Sequence, residues 1–133
     1  MKTKLRTVVL TLCLVVLMAS MAVSVLGTEV TFTQAYVDSN QYSFITSGYK
    51  ERDTKTIDVY ISAIYKYDYS NSNYWRVYAR ATGSGTRTLV FKGEHNDVDL
   101  PEKSRKAGSY IALYLMGHDP SLDCRVTGYV NIH

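Results

Sequence analysis

A chain of 133 residues with a formal net charge of +3 invites a nucleic-acid or membrane reading, but the placement of the charge removes it. Lys2, Lys4 and Arg6 account for three of the 15 basic side chains, and the remaining twelve are balanced by 12 acids, all of them after Gly27. The body is therefore formally neutral, and nothing in its composition points to nucleic acid or an anionic surface.

Residues 1–27 combine that basic start with a long apolar run and no acid, the pattern of an N-terminal signal helix for export. Small residues offer cleavage at Ser20-Met21-Ala22 or, the preferred site, after Val25-Leu26-Gly27. Thr7 to Gly27 is also an uninterrupted uncharged stretch long enough to span a bilayer, so an uncleaved anchor at residues 7–27 is the alternative. Cys13 follows bulky Leu12 too early in the run for lipoprotein processing.

Residues 28–133 then form one domain, with Cys124 as its only cysteine. No internal disulfide is possible, so stability must come from the core, and Cys124 is expected to act as a small buried hydrophobe. Period-two alternation runs through nearly all of this body. A first strand over residues 28–37 sets Val30, Phe32, Gln34 and Tyr36 against Thr31, Thr33, Ala35 and Val37. Asp38-Ser39-Asn40 marks a turn, and a second strand follows over residues 42–47. A third, over residues 56–67, places Ile57, Val59, Ile61, Ala63, Tyr65 and Tyr67 on one face.

The fourth strand, residues 74–82, points Trp75, Val77, Ala79 and Ala81 inward and Tyr74, Arg76, Tyr78 and Arg80 outward. Gly83-Ser84-Gly85 supplies the positive φ values of a tight turn, so residues 86–92 should pair back as a hairpin. Residues 93–108 are polar, contain Pro101, and read as a long crossover loop. Residues 109–116 carry Ile111, Leu113 and Leu115 opposite Tyr110, Ala112, Tyr114 and Met116, which predicts a mid-sheet strand buried on both faces. Residues 124–132 end the chain with Cys124, Val126, Val130 and Ile132 on one side. The expectation is an all-β fold, an antiparallel two-layer β-sandwich of about seven strands.

All 12 tyrosines lie in the body. Rings on a sandwich face can stack on the apolar side of a sugar while polar neighbours take its hydroxyls, although aromatic residues also favour strands for packing reasons alone. The row Tyr74, Arg76, Tyr78 and Arg80 is the candidate ligand shelf, able to stack on sugars and hold hydroxyls or phosphates through guanidinium hydrogen bonds; its plain alternative is a solvated face with arginine stems over rings. In the long loop, Glu94, Asp97 and Asp99 with His95 and Asn96 crowd oxygen donors that calcium would accept, with Asp119 and Asp123 joining only if the loops meet. The spacing matches no defined calcium loop, and no cofactor is expected. His95, His118 and His133 are too scattered for zinc. No glycine-flanked serine, zinc-binding helix or cysteine–histidine signature is present, so a non-enzyme is expected; His95 with Asp97 or Asp99 is the nearest approach to a general base.

Tyr42-Ser43-Phe44-Ile45, Tyr74-Trp75-Arg76-Val77 ahead of Gly83-Ser84-Gly85-Thr86, and Gly108-Ser109-Tyr110, together with the leader, resemble small secreted β-rich proteins of Gram-positive bacteria, families without an assigned function. The resemblance implies export and transfers no active site. The expected function is a secreted, non-catalytic binding module for a glycan or cell-wall polymer. The alternative is a secreted protein-interaction or bacteriocin-like competition factor.

Overall fold

The computed structural model describes residues 28–66, 76–83, 86–119 and 123–133. The leader with its cleavage sites, Tyr67, Tyr74 and Trp75 lie outside the described residues. Eight antiparallel strands form two four-stranded sheets packed as a sandwich: β1 (Thr28–Val37), β2 (Ser43–Tyr49), β3 (Thr56–Lys66), β4 (Arg76–Ala81), β5 (Thr88–Phe91), β6 (His95–Asp99), β7 (Tyr110–Gly117) and β8 (Cys124–Ile132). One sheet, here sheet A, runs β1-β8-β3-β6, and the other, sheet B, runs β2-β7-β4-β5. The β4–β5 hairpin stays within one sheet, as the glycine triplet predicts, whereas every other connection between consecutive strands changes layer.

The inward residues of the two layers make one core. Ile57, Val59 and Ile61 of β3, Val126, Val130 and Ile132 of β8, and Val77 and Ala79 of β4 meet Ile111, Leu113 and Leu115 of β7, all fully buried. Each large aliphatic side chain removed from water in this way contributes about 1.5–3 kcal/mol, enough to hold a disulfide-free domain. Cys124 belongs to this core, and burial, helped by the Asp123 carboxylate, pushes its thiol pKa up to about 11. A thiol so far from ionising is a packing group, not a nucleophile.

Three readings of the pattern are corrected. In β1 the alternation breaks: Gln34 sits at φ 49, the pairing with β8 shifts between Phe32 and Ala35, and Phe32 and Val37, five residues apart, both face the core. In β3 a second bulge between Ile61 and Ala63 turns Ile64 inward and leaves Ala63 and Tyr65 half-buried, so the predicted single face ends at Ile61. Both bulges lie across from Gly128, where a Cβ would stand 2.1 Å from the Tyr60 carbonyl oxygen. The β8 backbone approaches β3 so closely there that only hydrogen fits, and the neighbouring strands bend around it.

The third correction concerns the polar loop of residues 93–108, which holds β6 and a 3-10 turn at Glu102–Ser104. In β6 only Val98 points into the core, while His95, Asp97 and Asp99 point to water. An edge strand dressed in charge resists pairing with foreign strands, and that same dressing disguises it as a loop. Asn96 ties the corner from β5 to β6: its Oδ1 accepts from Phe91 N at 3.1 Å, and its Nδ2 donates to Phe91 O at 3.2 Å and Glu94 O at 2.8 Å.

Candidate functional site

The outer face of sheet B carries the open aromatic surface of the molecule. Register fixes its rows: Tyr49 lies opposite Tyr110; Ser47 opposite Ala112; Phe44 opposite Tyr114, which is opposite Arg80; Met116 opposite Tyr78, which is opposite Leu89; and Arg76 opposite Phe91. Phe44 is 57% exposed, Tyr49 67%, Tyr110 49% and Phe91 37%. Of the five large apolar or aromatic side chains exposed among the described residues, these four share one face; the fifth, Tyr36, is on sheet A.

The rings are paired in two stations. Tyr49 and Tyr110 stand edge to face at 5.4 Å, and Phe44 and Tyr114 do so at 5.9 Å. Tyr110 and Tyr114 are four residues apart on one strand, which separates the stations by roughly 13 Å. Ser47 and Ala112 lie between them, both small, so the surface dips where the rings do not stand. The expectation that β7 is buried on both faces fails at these positions: Tyr110 is exposed, Tyr114 and Met116 are half-buried, and only Ala112 on this side is covered.

Of the predicted shelf, Tyr74 is outside the described residues, and the other three side chains are placed unequally. Arg76 is exposed. Tyr78 is half-buried with the Arg87 guanidinium 4.3 Å above its ring and His118 beside it at 5.1 Å. Arg80 crosses β7 to lie 4.4 Å over the ring of Tyr42. The guanidinium groups of Arg87 and Arg80 thus lie flat against two of the rings at cation–π distance. Arg80 Nε and the Tyr42 hydroxyl are buried without a hydrogen-bond partner among the described residues, and burial raises the Tyr42 pKa against the pull of Arg80 and Arg87.

Charge sharpens the picture. The four strands of sheet B contain Arg76 and Arg80 and no carboxylate. The strands of sheet A contain Glu29, Asp58, Asp97 and Asp99, with Lys66 and Arg125 at the opposite end of the sheet. Glu29, Asn131, Asp58 and Asp97 form one row across all four strands. His95 Nδ1 meets Asp58 Oδ2 at 2.7 Å, and the rings of Tyr60 and Tyr129 stack at 5.2 Å beside them.

The loop acids singled out for calcium divide between a turn and a strand. Glu94 is in the turn before β6, Asp97 faces Asp58, and Asp99 faces Thr56. Asp123 braces the far end of the sheet, where its carboxylate accepts the Tyr36 hydroxyl at 2.7 Å and Ser39 N at 3.0 Å. Among the described residues no group of three or more His, Cys, Asp or Glu side chains is placed to hold a metal ion.

Sequence reasoning missed Tyr42, Phe44, Tyr49, Arg87, Phe91, Tyr110 and Tyr114. The only signal for the strand rings among them was their place at alternate positions of strands that also carried aliphatic residues, which reads equally well as packing, and Arg87 carried no signal at all. No protein-family model, curated protein or solved structure matches this chain.

Proposed function

We propose that this protein is a secreted, non-catalytic binding module that holds a glycan or cell-wall polymer across the outer face of sheet B. The observation that carries this reading is the coincidence, on a single face, of four exposed aromatic side chains with two arginines and no acid in its strands. An exposed apolar patch of this kind is a cost to a soluble protein unless something covers it. Two ring stations on either side of a low saddle suit a linear chain of sugar rings, which presents apolar faces at intervals and hydroxyls at its rim. Arg76 and the terminal nitrogens of Arg80 and Arg87 supply the polar contacts, and these are stronger where the polymer carries phosphate or carboxylate.

Sedimentation with purified cell wall tests the reading. The native protein is expected in the pellet, and Tyr49→Ala/Tyr110→Ala is expected to weaken retention at least about tenfold, equivalent to roughly 1.4 kcal/mol. Arg76→Gln should weaken it less. Equal retention of all three proteins would sink the proposal. The alternative of a protein-interaction or competition factor draws on Phe44 and Phe91, which have no polar handle for a sugar. Walls stripped of protein by protease separate the two: a polymer ligand survives the treatment and a protein partner does not.

A further inference from the structure

We infer a second binding site, for a phosphate group on a small molecule, at the end of the sandwich where residues 50–55 meet residues 100–109. A cleft of about 340 Å³ opens there, lined by Asp53, Thr54, Lys55, Glu102, Arg105 and Lys106. Its walls are held rigidly by main-chain bonds between the two segments: Thr54 N donates to Arg105 O at 3.0 Å, Leu100 N to Lys55 O at 2.9 Å, and Gly108 N to Lys50 O at 2.8 Å. The site is therefore formed before any ligand arrives, which spares the ordering cost of binding.

Its charges are poorly matched among themselves. Asp53 accepts Ala107 N at 2.8 Å and Lys106 Nζ at 3.4 Å, which hold its carboxyl below the usual carboxylate range. That carboxylate is a strut between the segments. Arg105 Nε donates to Leu100 O at 3.0 Å, which fixes the guanidinium and leaves its terminal nitrogens without an acceptor among the described residues. Lys55 makes no ion pair among the described residues, and neither does Glu102, the one acid of the cleft not engaged.

Behind the Thr54 wall sits Lys50, only 3% exposed. Its ammonium donates to Thr54 O at 3.2 Å and to Thr54 Oγ1, both uncharged, and it makes no ion pair among the described residues. A cation taken out of water beside neutral oxygens is left with a desolvation cost that no counter-ion offsets. Burial accordingly pulls the Lys50 pKa down, and Asp53 offsets that only in part. Four cations thus surround or underlie a preformed cleft with two carboxylates, one of them committed to holding the walls. A doubly charged oxyanion in the cleft would satisfy the fork of Arg105 and lower the cost of burying Lys50 at the same time. The cleft borders the Tyr49–Tyr110 end of the sheet B face, where Lys50 N donates to Ser109 O at 3.0 Å, but none of its lining residues is in a strand of sheet B.

The test is a titration of the full chain with inorganic phosphate at constant ionic strength, followed by thermal melting. A ligand of the native state raises the midpoint along a saturable curve. Phosphate is expected to do so at millimolar concentration, with the shift at least halved in Lys55→Gln and absent in Arg105→Gln. The Lys55 side chain has no hydrogen bond or ion pair among the described residues to lose, and its main-chain bond to Leu100 survives substitution, so its variant keeps the test readable if Arg105→Gln folds poorly. Nitrogen NMR of the Lys50 side chain should show its titration moving to higher pH when phosphate is bound. An unsaturable shift, or one equal in the native protein and both variants, is a general salting effect and overturns the inference, as does a Lys50 titration that phosphate leaves in place.

Discussion

The outer faces of the two sheets are built from the same tyrosine-rich strands, yet they treat their side chains in opposite ways. On sheet A the outward groups serve one another: His95 with Asp58, Tyr60 with Tyr129, Tyr36 with Asp123, and Arg125 with the Gln34 carbonyl at 3.1 Å. In the acid row Asp58 Oδ1 and Asn131 Oδ1 are buried without a partner among the described residues. On sheet B the rings pair edge to face, but their outer surfaces stay open, and the arginines stack on rings where a carboxylate would normally be found. On one face polar neighbours brace the rings; on the other the exposed rings stay open. Ring content alone therefore does not mark a binding surface. The partners available to the rings do.

The largest test of this contrast lies beneath the faces. Gly128→Ala, at the centre of sheet A, would drive a methyl group into the Tyr60 backbone, which cannot step aside without breaking the β3–β8 pairing. A loss of roughly 3 kcal/mol is expected in urea unfolding. Gly48→Ala, on the inner side of sheet B, meets side-chain ends and not backbone, Ile132 Cδ1 at 3.1 Å and Val30 Cγ2 at 3.9 Å, and should cost about 1 kcal/mol or less. Equal losses would mean that the bulges of sheet A are not anchored at Gly128.

A medium effect separates the faces by function. Tyr60→Ala/Tyr129→Ala on sheet A should leave wall retention within about twofold of native, against the tenfold or greater loss expected for the sheet B pair. If the sheet A variant loses retention instead, the assignment of the binding face is reversed.

The smallest effect is one of pH. The Tyr36 hydroxyl and Ser39 N hold the Asp123 carboxyl below its ordinary 3.8. A depressed carboxyl stabilises the fold fully above that value and ceases to do so as pH falls through its folded value. Acid should therefore loosen the β1–β8 end of sheet A, and Asp123→Asn should flatten the fall in melting temperature below pH 3.8. The strands of sheet B, having no carboxylate, offer no such response.

Much of the fold was legible in the order of residues. Alternation located seven of the eight strands, the glycine triplet located the hairpin, and Val77, Ala79 and Ala81 of β4 and Cys124, Val126, Val130 and Ile132 of β8 face inward as the alternation predicts. β6 was hidden because its single inward residue, Val98, gives no visible period. The bulges were hidden because nothing local to Gln34 or Ser62 demands them; they arise from the close approach of Gly128, nearly seventy residues or more away in the chain.

The site was less legible than the fold. Arg76, Tyr78 and Arg80 share a face because they are two apart on one strand, and the sequence determined that by itself. The pairing of Phe44 with Tyr114 and Tyr49 with Tyr110, the reach of Arg80 to Tyr42, and the meeting of Lys50 with the segment around Arg105 were decided only by tertiary structure. The physical reason is that alternation is a local property of a pleated chain, whereas strand order and register are chosen by the closing of a common core, and that choice sets which distant side chains become neighbours.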